Sequence, residues 1–141
     1  MLLAVSGSAH AQSSDAVQKC KATAVQPGVG ADVAETNLFD FFTSVQADDG
    51  SAEEVLCGDG KTWGAVHIEV KHRVHDWAVT RRCMSVVMSR GESRPDGDKR
   101  RWIYTWEPGR SARVVAGTNG MITSYPWDSG SEASWAECAR Q

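Results

Sequence analysis

Residues 101–125 read RWIYTWEPGRSARVVAGTNGMITSY, and this stretch decides the fold. Pro108-Gly109 and Asn119-Gly120 are turn dipeptides, and Asn-Gly is favoured in two-residue β-hairpin turns because both residues tolerate positive φ. The residues between the turns are rich in aromatic and β-branched side chains, which is typical of strands. The stretch therefore predicts an antiparallel meander of three strands, at residues 101–106, 112–117 and 121–125.

Two-residue turns would also determine which residues of the meander lie opposite each other. Glu107 is expected opposite Arg110. The same register predicts three further pairs, which are Trp102–Val115, Thr118–Met121 and Val114–Tyr125. One face would then carry Trp102, Tyr104, Trp106, Arg113, Val115 and Ile122. The other face would carry Ile103, Thr105, Val114, Ala116, Met121, Thr123 and Tyr125.

Hydrophobic spacing predicts one helix and two strands upstream of the meander. Apolar residues recur with helical spacing between positions 38 and 45, so a helix is expected at residues 33–47, with Asp32 as its N-cap. Apolar and polar residues alternate over 66–75, which predicts a strand, and a second strand is expected at 77–89. A polar loop is expected at 91–97.

A short helix is predicted at the end of the chain, capped by Asp128 or Ser131 and carrying Trp135 and Cys138. Together these elements predict an α+β fold, with one amphipathic helix packed on a twisted antiparallel sheet of four to six strands. A chain of 141 residues suffices for one hydrophobic core, so residues 12–141 are expected to form a single domain.

Residues 1–11 are typical of the end of a secretory signal peptide. An apolar start is followed by small polar residues and by Ala9-His10-Ala11, which fits a cleavage site before Gln12. The basic start of a signal peptide is absent and the apolar run is short, which indicates a signal-peptide remnant. A disordered cytosolic N-terminus is the alternative. No run of about 18 to 20 apolar residues occurs, so no transmembrane segment is predicted.

The cysteines favour export to an oxidising compartment, periplasmic or secreted. Cys20, Cys57, Cys83 and Cys138 are an even, scattered set without a Cys-x-x-Cys pair, which indicates two structural disulfides and not a zinc or redox site. Four cysteines allow three connectivities. The pairing Cys57–Cys83 with Cys20–Cys138 is favoured, because its second bridge would tie both chain ends to the core.

The net charge of −3 hides a division along the chain. Residues 61–113 carry twelve basic and six acidic residues (+6), residues 12–60 carry two and nine (−7), and residues 114–141 carry one and three (−2). Either the acidic and basic segments pack together so that their charges largely cancel within the fold, or the basic segment faces outward and attracts an anionic partner.

Six tryptophans are present, and tryptophan is favoured both in cores and at interfaces. One sheet face would suit a protein, anionic envelope or glycan partner. It is expected to carry Trp102, Tyr104 and Trp106, flanked by Arg101 and Arg113. The leading interpretation is therefore an exported bacterial binding or accessory protein without enzymatic activity that acts through this basic, Trp-rich face. No cofactor is expected, and the oligomeric state does not follow from the sequence.

Three histidines lie within nine residues of one another. On a strand, His67 and His75 would point the same way but lie roughly 26 Å apart, and His72 would point to the opposite face. This spacing provides no pair of metal ligands, so no metal site is predicted.

The alternative interpretation is a small exported, metal-independent, ribonuclease-like toxin. His72 would transfer a proton, Arg82 would hold the phosphate, and Thr123 and Tyr125 would supply hydrogen bonds. This activity requires His72, an arginine and Tyr125 to converge in one open cleft. The binding interpretation requires an exposed face of Trp102, Tyr104 and Trp106 and tolerates a buried His72.

Residues 113–126, with Arg-Val-Val, a turn glycine and Ile-Thr-Ser-Tyr-Pro, carry a resemblance to a known family. This segment resembles the closing hairpin of small bacterial ribonuclease toxins of contact-dependent inhibition systems. It covers 14 of the 141 residues. The chain differs from these toxins in that His72 is predicted on a strand instead of a helix, and in its own signal peptide and disulfides.

Overall fold

The computed structural model describes residues 15–24, 38–129, 131–132 and 134–141. The predicted signal-peptide remnant at residues 1–11 and its cleavage site lie outside these ranges. The helices are α1 (Asp15–Ala24), α2 (Gly64–Lys71), α3 (Trp77–Arg90) and α4 (Trp135–Ala139). The strands are β1 (Phe41–Gln46), β2 (Ala52–Leu56), β3 (Glu92–Asp96), β4 (Lys99–Glu107), β5 (Arg110–Gly117), β6 (Gly120–Asp128) and β7 (Ser131–Glu132).

The strands form two antiparallel sheets, so the predicted α+β fold is confirmed. β1 and β2 make a two-stranded hairpin, and the other strands make a five-stranded sheet in the order β3-β4-β5-β6-β7. The predicted short C-terminal helix is present as α4, with Ser134 as its N-cap. Among the helices in the described ranges, none combines the length and apolar character needed to cross a bilayer.

The predicted meander is confirmed as β4, β5 and β6, but most of its predicted register is wrong. Glu107 does lie opposite Arg110, yet a bulge at Trp106 shifts the pairing beyond it by one residue. Trp102 therefore lies opposite Val114 and not Val115. The second hairpin turns at residues 118–119, one position earlier than predicted, and residue 122 forms a second bulge.

Because of these shifts, Arg113 lies on the sheet face opposite to the one predicted. Arg113 lies opposite both Ile103 and Tyr125, so these three side chains share a face. Trp102 and Val114 lie on the opposite face, which helix α3 covers, and both are buried in the core. The predicted grouping of Trp102 with Arg113 is therefore wrong.

The helix predicted at 33–47 is wrong over residues 41–46, which form β1; residues 33–37 lie outside the described ranges. The apolar residues between positions 38 and 45 fit a helical face, but Asp48-Asp49-Gly50 turns the chain into β2. Gly50 adopts φ +91°, a conformation that glycine tolerates. The tight turn and the pairing with β2 decide in favour of a hairpin.

The two strands predicted at 66–75 and 77–89 are wrong, because residues 66–71 and 77–89 are helical and residues 72–75 connect the two helices. In α2, the buried residues Ala65, Ile68 and Glu69 have helical spacing, whereas Val70 is 61% exposed. The alternation of β-branched residues therefore does not follow burial. In α3, Asp76 caps the first turn by accepting a hydrogen bond from the Ala78 N–H. Part of the loop predicted at 91–97 forms the exposed edge strand β3.

Two disulfides are present, as predicted, but the favoured pairing is wrong. Cys20 bonds to Cys57, and Cys83 bonds to Cys138. Cys20 lies on α1, which packs beside α2 close to the end of β2, and Cys83 lies on the face of α3 that packs against α4. Each bridge therefore joins neighbouring elements, and neither ties the two chain ends together.

A buried carboxylate joins the three helices α1, α2 and α3. Glu69, which is 5% exposed, accepts hydrogen bonds from the backbone N–H groups of Ala16 (2.7 Å) and Val17 (3.0 Å). It also accepts one from the indole N–H of Trp77 at 2.7 Å. The carboxylate thus satisfies unpaired donors in the first turn of α1 and fixes α2 against the start of α3.

We expect Glu69→Gln to lower the free energy of unfolding by about 2–4 kcal/mol, because an amide has one acceptor oxygen for three N–H donors and leaves buried donors unpaired. The measurement is the urea midpoint at unchanged m-value. Glu54→Gln, at an exposed position, is the matched control. Equal losses in the two variants would contradict this role of Glu69.

Candidate active site

Helix α2 and strands β5 and β6 bring five side chains together, here called the histidine cluster: His67, His72, Arg113, Thr123 and Tyr125. His67 lies on α2 and His72 is its C-cap residue. Because the segment is helical, their ring centroids are only 5.3 Å apart, nearly perpendicular at 88°. The prediction that His67 and His72 point to opposite faces is therefore wrong.

The hydroxyl of Thr123 lies between the two imidazoles. Its Oγ1 is 3.2 Å from Nε2 of His67 and 3.2 Å from Nε2 of His72. A hydroxyl has one proton to donate, so it can donate to one nitrogen while it accepts from the other. The geometry therefore suits one imidazole with a bare Nε2 and one with a protonated Nε2.

Tyr125 joins the arginine to the histidines. Its ring stacks on His72 with centroids 4.8 Å apart and planes 21° apart. The guanidinium of Arg113 lies over the same ring at 5.9 Å, and its Nη1 donates to the Tyr125 hydroxyl at 3.3 Å. His72, an arginine and Tyr125 therefore converge as the ribonuclease alternative requires, with Arg113 as the arginine, but His72 is only 8% exposed and the described residues show no open cleft over all three.

Arg113 is half-buried and keeps hydrogen-bonding capacity. In the part of the chain that the structure describes, no carboxylate forms an ion pair with it, and its buried Nε has no hydrogen-bond partner. A guanidinium offers several N–H donors in a planar fork that matches a phosphate group. Arg113 can therefore hold an anion beside the imidazoles.

The surroundings of His67 lower its pKa from the usual value of about 6.5. Burial is the main cause, since it disfavours the charged imidazolium, and the neighbouring His72 adds to the effect. The backbone of Lys61 and the carboxylate of Asp59 act in the opposite direction. His67 is thus kept in the neutral form near pH 7.

The loop before α2 positions its first turn. Asp59 accepts hydrogen bonds from the backbone N–H groups of Lys61, Thr62 and Trp63 and from the Thr62 hydroxyl. Although burial acts to raise the pKa of Asp59, these hydrogen bonds lower it to about 2. The carboxylate therefore stays ionised and holds the loop. Gly64 starts the helix at φ +93°, where an added Cβ would meet the Cys57 carbonyl oxygen at 2.7 Å.

The other predicted site residues lie elsewhere. Arg82 is exposed on α3 and lines a surface cavity with Ala136 and Arg140, away from the Tyr125 hydroxyl that Arg113 contacts. Trp102 is buried at 8% exposure, and Tyr104 and Trp106 pack half-buried against the same core. Arg101 lies on the sheet face opposite to Trp102, where it forms an ion pair with Asp96 at 2.9 Å.

The described residues offer no evident metal site: nowhere in them do three His, Cys, Asp or Glu side chains group so that they could hold an ion. The histidine cluster combines two imidazoles with a hydroxyl, a phenol and a guanidinium. Such a set supplies proton transfer and anion binding.

Sequence reasoning missed His67 and Arg113 as members of this cluster. The helical spacing of Ala65, Ile68 and His72 could have indicated that His67 lies on a helix. Because His72 is polar, this spacing did not stand out as a hydrophobic helical pattern. Arg113 was assigned to the wrong face by the one-residue register shift, for which no residue type gives a local signal.

Comparison of the chain with protein-family models, curated proteins and solved structures finds no match.

We expect the pKa of His67, followed by NMR titration of its ring C–H signals, to lie below 6.5 and to rise in His72→Asn, because that variant removes a neighbouring positive charge. His75→Asn, which changes an exposed histidine outside the cluster, is the control and should leave the His67 pKa unchanged. A His67 pKa that is unaffected by His72→Asn would show that the two imidazoles are not coupled.

Proposed function

We propose that the protein is an exported, metal-independent ribonuclease that cleaves RNA at the histidine cluster. The observation that carries this proposal is the Thr123 hydroxyl placed 3.2 Å from Nε2 of both histidines. Cleavage of RNA by its own 2′-hydroxyl needs one group that removes a proton and another that supplies one. A pair of imidazoles in opposite protonation states meets this need.

His67 is the general base in this mechanism, because burial and His72 lower its pKa and keep the imidazole neutral, which leaves one ring nitrogen able to accept a proton. His67 takes the proton of the 2′-hydroxyl while the 2′-oxygen forms a bond to phosphorus. The bond from phosphorus to the 5′-oxygen breaks, and His72 donates a proton to that oxygen. The products are a 2′,3′-cyclic phosphate and a 5′-hydroxyl end, so neither water nor a redox partner is consumed.

Arg113 and Tyr125 stabilise the charge that develops on the phosphate oxygens. The Arg113 guanidinium has an unused buried Nε, and the Tyr125 hydroxyl already lies 3.3 Å from its Nη1. Donors that are fixed before the reaction act strongly where water is partly excluded. His67 and His72, at 9% and 8% exposure, show that the cluster is such a place.

The sheet face opposite α3 suits an RNA strand. In cross-strand register, Ile103, Arg113 and Tyr125 form one row, and Arg101, Val115 and Thr123 form the next. All six side chains are half-buried: α2 covers the Thr123 and Tyr125 part of this face through His67 and His72, the rest of the face is partly accessible, and α3 covers the other face. Cationic and aromatic side chains side by side are typical of surfaces that bind single-stranded nucleic acid.

The proposed location is the periplasm or the outside of the cell. Two disulfides are typical of a protein that folds in an oxidising compartment. The position of His72 at a helix end, and not on a strand, also removes one difference from the contact-dependent ribonuclease toxins that residues 113–126 resemble. A role as a toxin fits both features.

A catalytic role of the histidine cluster is better supported than a binding role of the aromatic residues on β4. A binding role for Trp102, Tyr104 and Trp106 requires their exposure, whereas Trp102 is buried and the other two pack against the core. No specific contact of these residues favours a protein, envelope or glycan partner.

We expect the purified oxidised protein to cleave single-stranded RNA in the presence of EDTA, and His67→Ala and His72→Ala each to lower kcat/KM by about 10²–10⁴-fold. Arg113→Ala should lower it by about 10²–10³-fold, since it removes donors to the developing charge. The measurement is cleavage of a fluorescent RNA, with end-group analysis of the products.

The matched control for Arg113→Ala is Arg90→Ala, which removes an exposed arginine on α3 and should leave kcat/KM unchanged. DNA of the same sequence should stay intact, because it lacks the 2′-hydroxyl. Absence of RNA cleavage by the wild-type protein, or equal activity of wild type and His72→Ala, would overturn the proposed function.

A further inference from the structure

We infer that the cavity beside His72, between the start of α3 and α4, is a subsite for the nucleobase next to the scissile phosphate. The cavity has a volume of about 360 Å³ and is lined by His72, Val79, Thr80, Trp135 and Ala136, with Arg73 and His75 among the remaining lining residues. This volume falls within the range of small-molecule sites. The subsite acts in cleavage only if the histidine cluster cleaves RNA as proposed.

The lining suits the flat, largely apolar face of a base. Val79, Trp135 and Ala136 contribute hydrophobic surface from two helices. Bases of single-stranded RNA are commonly held against apolar and aromatic side chains while their edges are read by hydrogen bonds. The cavity thus provides the first half of a base-recognition site.

A buried hydroxyl provides the second half. Thr80 is fully buried, and its Oγ1 has no hydrogen-bond partner among the described residues. Buried polar atoms without partners are rare in folded proteins. The Thr80 hydroxyl can both donate and accept, and because it has no exposed surface in the empty cavity, a base must displace the neighbouring cavity wall to bond to it.

The cavity adjoins the catalytic cluster directly. His72 forms part of its wall, and the indole N–H of Trp135 donates to the His72 backbone carbonyl at 2.8 Å. The imidazole of the same residue stacks on Tyr125. His72 thus belongs both to the wall of the cavity and to the cluster in which Arg113 and Tyr125 would hold a phosphate, so the adjacent nucleotide would lie near the cavity.

The lining of the cavity includes Arg73, which suits a phosphate chain, and also the carboxylate of Asp76, which caps α3. Arg73 is exposed and adopts φ +57°, an uncommon conformation for a residue with a side chain, and such strain tends to occur at functional sites. A second cavity of about 380 Å³ shares Val79 and Ala136 with the first and is lined by Arg82 and Arg140. This basic groove gives Arg82 a role on a flanking phosphate instead of the scissile one.

The first test uses DNA oligonucleotides that contain a single ribonucleotide, with each base, or no base, on either side of it. We expect wild-type cleavage to depend on the base at one flanking position by about tenfold, the size of one or two hydrogen bonds. Thr80→Val, of nearly the same shape, should reduce this preference below about threefold and leave the rate on the substrate without that base unchanged.

Ala136→Leu should raise KM for substrates with a base at that position by about tenfold, because the added side chain fills the cavity. Thr118→Val, at an exposed turn position, is the control and should keep both preference and KM. Circular dichroism verifies the fold of each variant. If the wild type cleaves RNA and both cavity variants keep its base preference, the subsite is overturned while the proposed function stands.

A binding measurement separates the subsite from catalysis. In His67→Asn, which lacks the proposed base but keeps the cavity, nucleoside 3′-monophosphates should shift the indole N–H signal of Trp135 in NMR spectra and leave that of buried Trp102 in place. Thr80→Val in the same background should weaken this binding at least threefold, by the loss of about one hydrogen bond. A Trp135 signal that stays fixed at millimolar nucleotide would overturn the subsite, whatever the outcome with RNA.

Discussion

The carboxylate of Glu69 is the interaction on which the arrangement of the molecule depends most. It accepts hydrogen bonds from two backbone N–H groups of α1 and from the Trp77 indole of α3. The helix that carries it also carries His67 and ends at His72. A buried carboxylate is tolerated only while its hydrogen bonds are satisfied, so the same requirement that holds three helices together also orients both imidazoles.

The histidine cluster combines a helix and a strand that are distant in sequence. α2 contributes the imidazoles with a separation of five residues, and β6 contributes Thr123 and Tyr125 on the same face. The rigid sheet fixes the hydroxyl and the phenol, and the Cys20–Cys57 bridge and the Asp59 loop hold the start of α2. The proposed function therefore depends on the docking of one short helix against β6 and its neighbour β5, which carries Arg113.

Sequence reasoning predicted the parts of this protein that depend on local chemistry. The turns at Pro108-Gly109 and near Asn119-Gly120 identified β4, β5 and β6, because such dipeptides adopt few conformations. The helical state of α2 was not predictable from alternation, since its β-branched residues imitate a strand and only tertiary packing reveals which side is buried. For the site, His72, Thr123 and Tyr125 of the alternative interpretation are neighbours in the fold, and the arginine beside them is Arg113 instead of Arg82.

The order of the disulfides along the chain has a consequence for biosynthesis. The two bridged segments, 20–57 and 83–138, follow one another without overlap. A chain that enters an oxidising compartment from its N-terminus can therefore join each cysteine to the next one that arrives, and this sequential pairing already yields the native connectivity. Such a protein needs little disulfide reshuffling after translocation. His67 and His72 lie between the two bridged segments, so their final arrangement waits for β6, which is synthesised about 50 residues later.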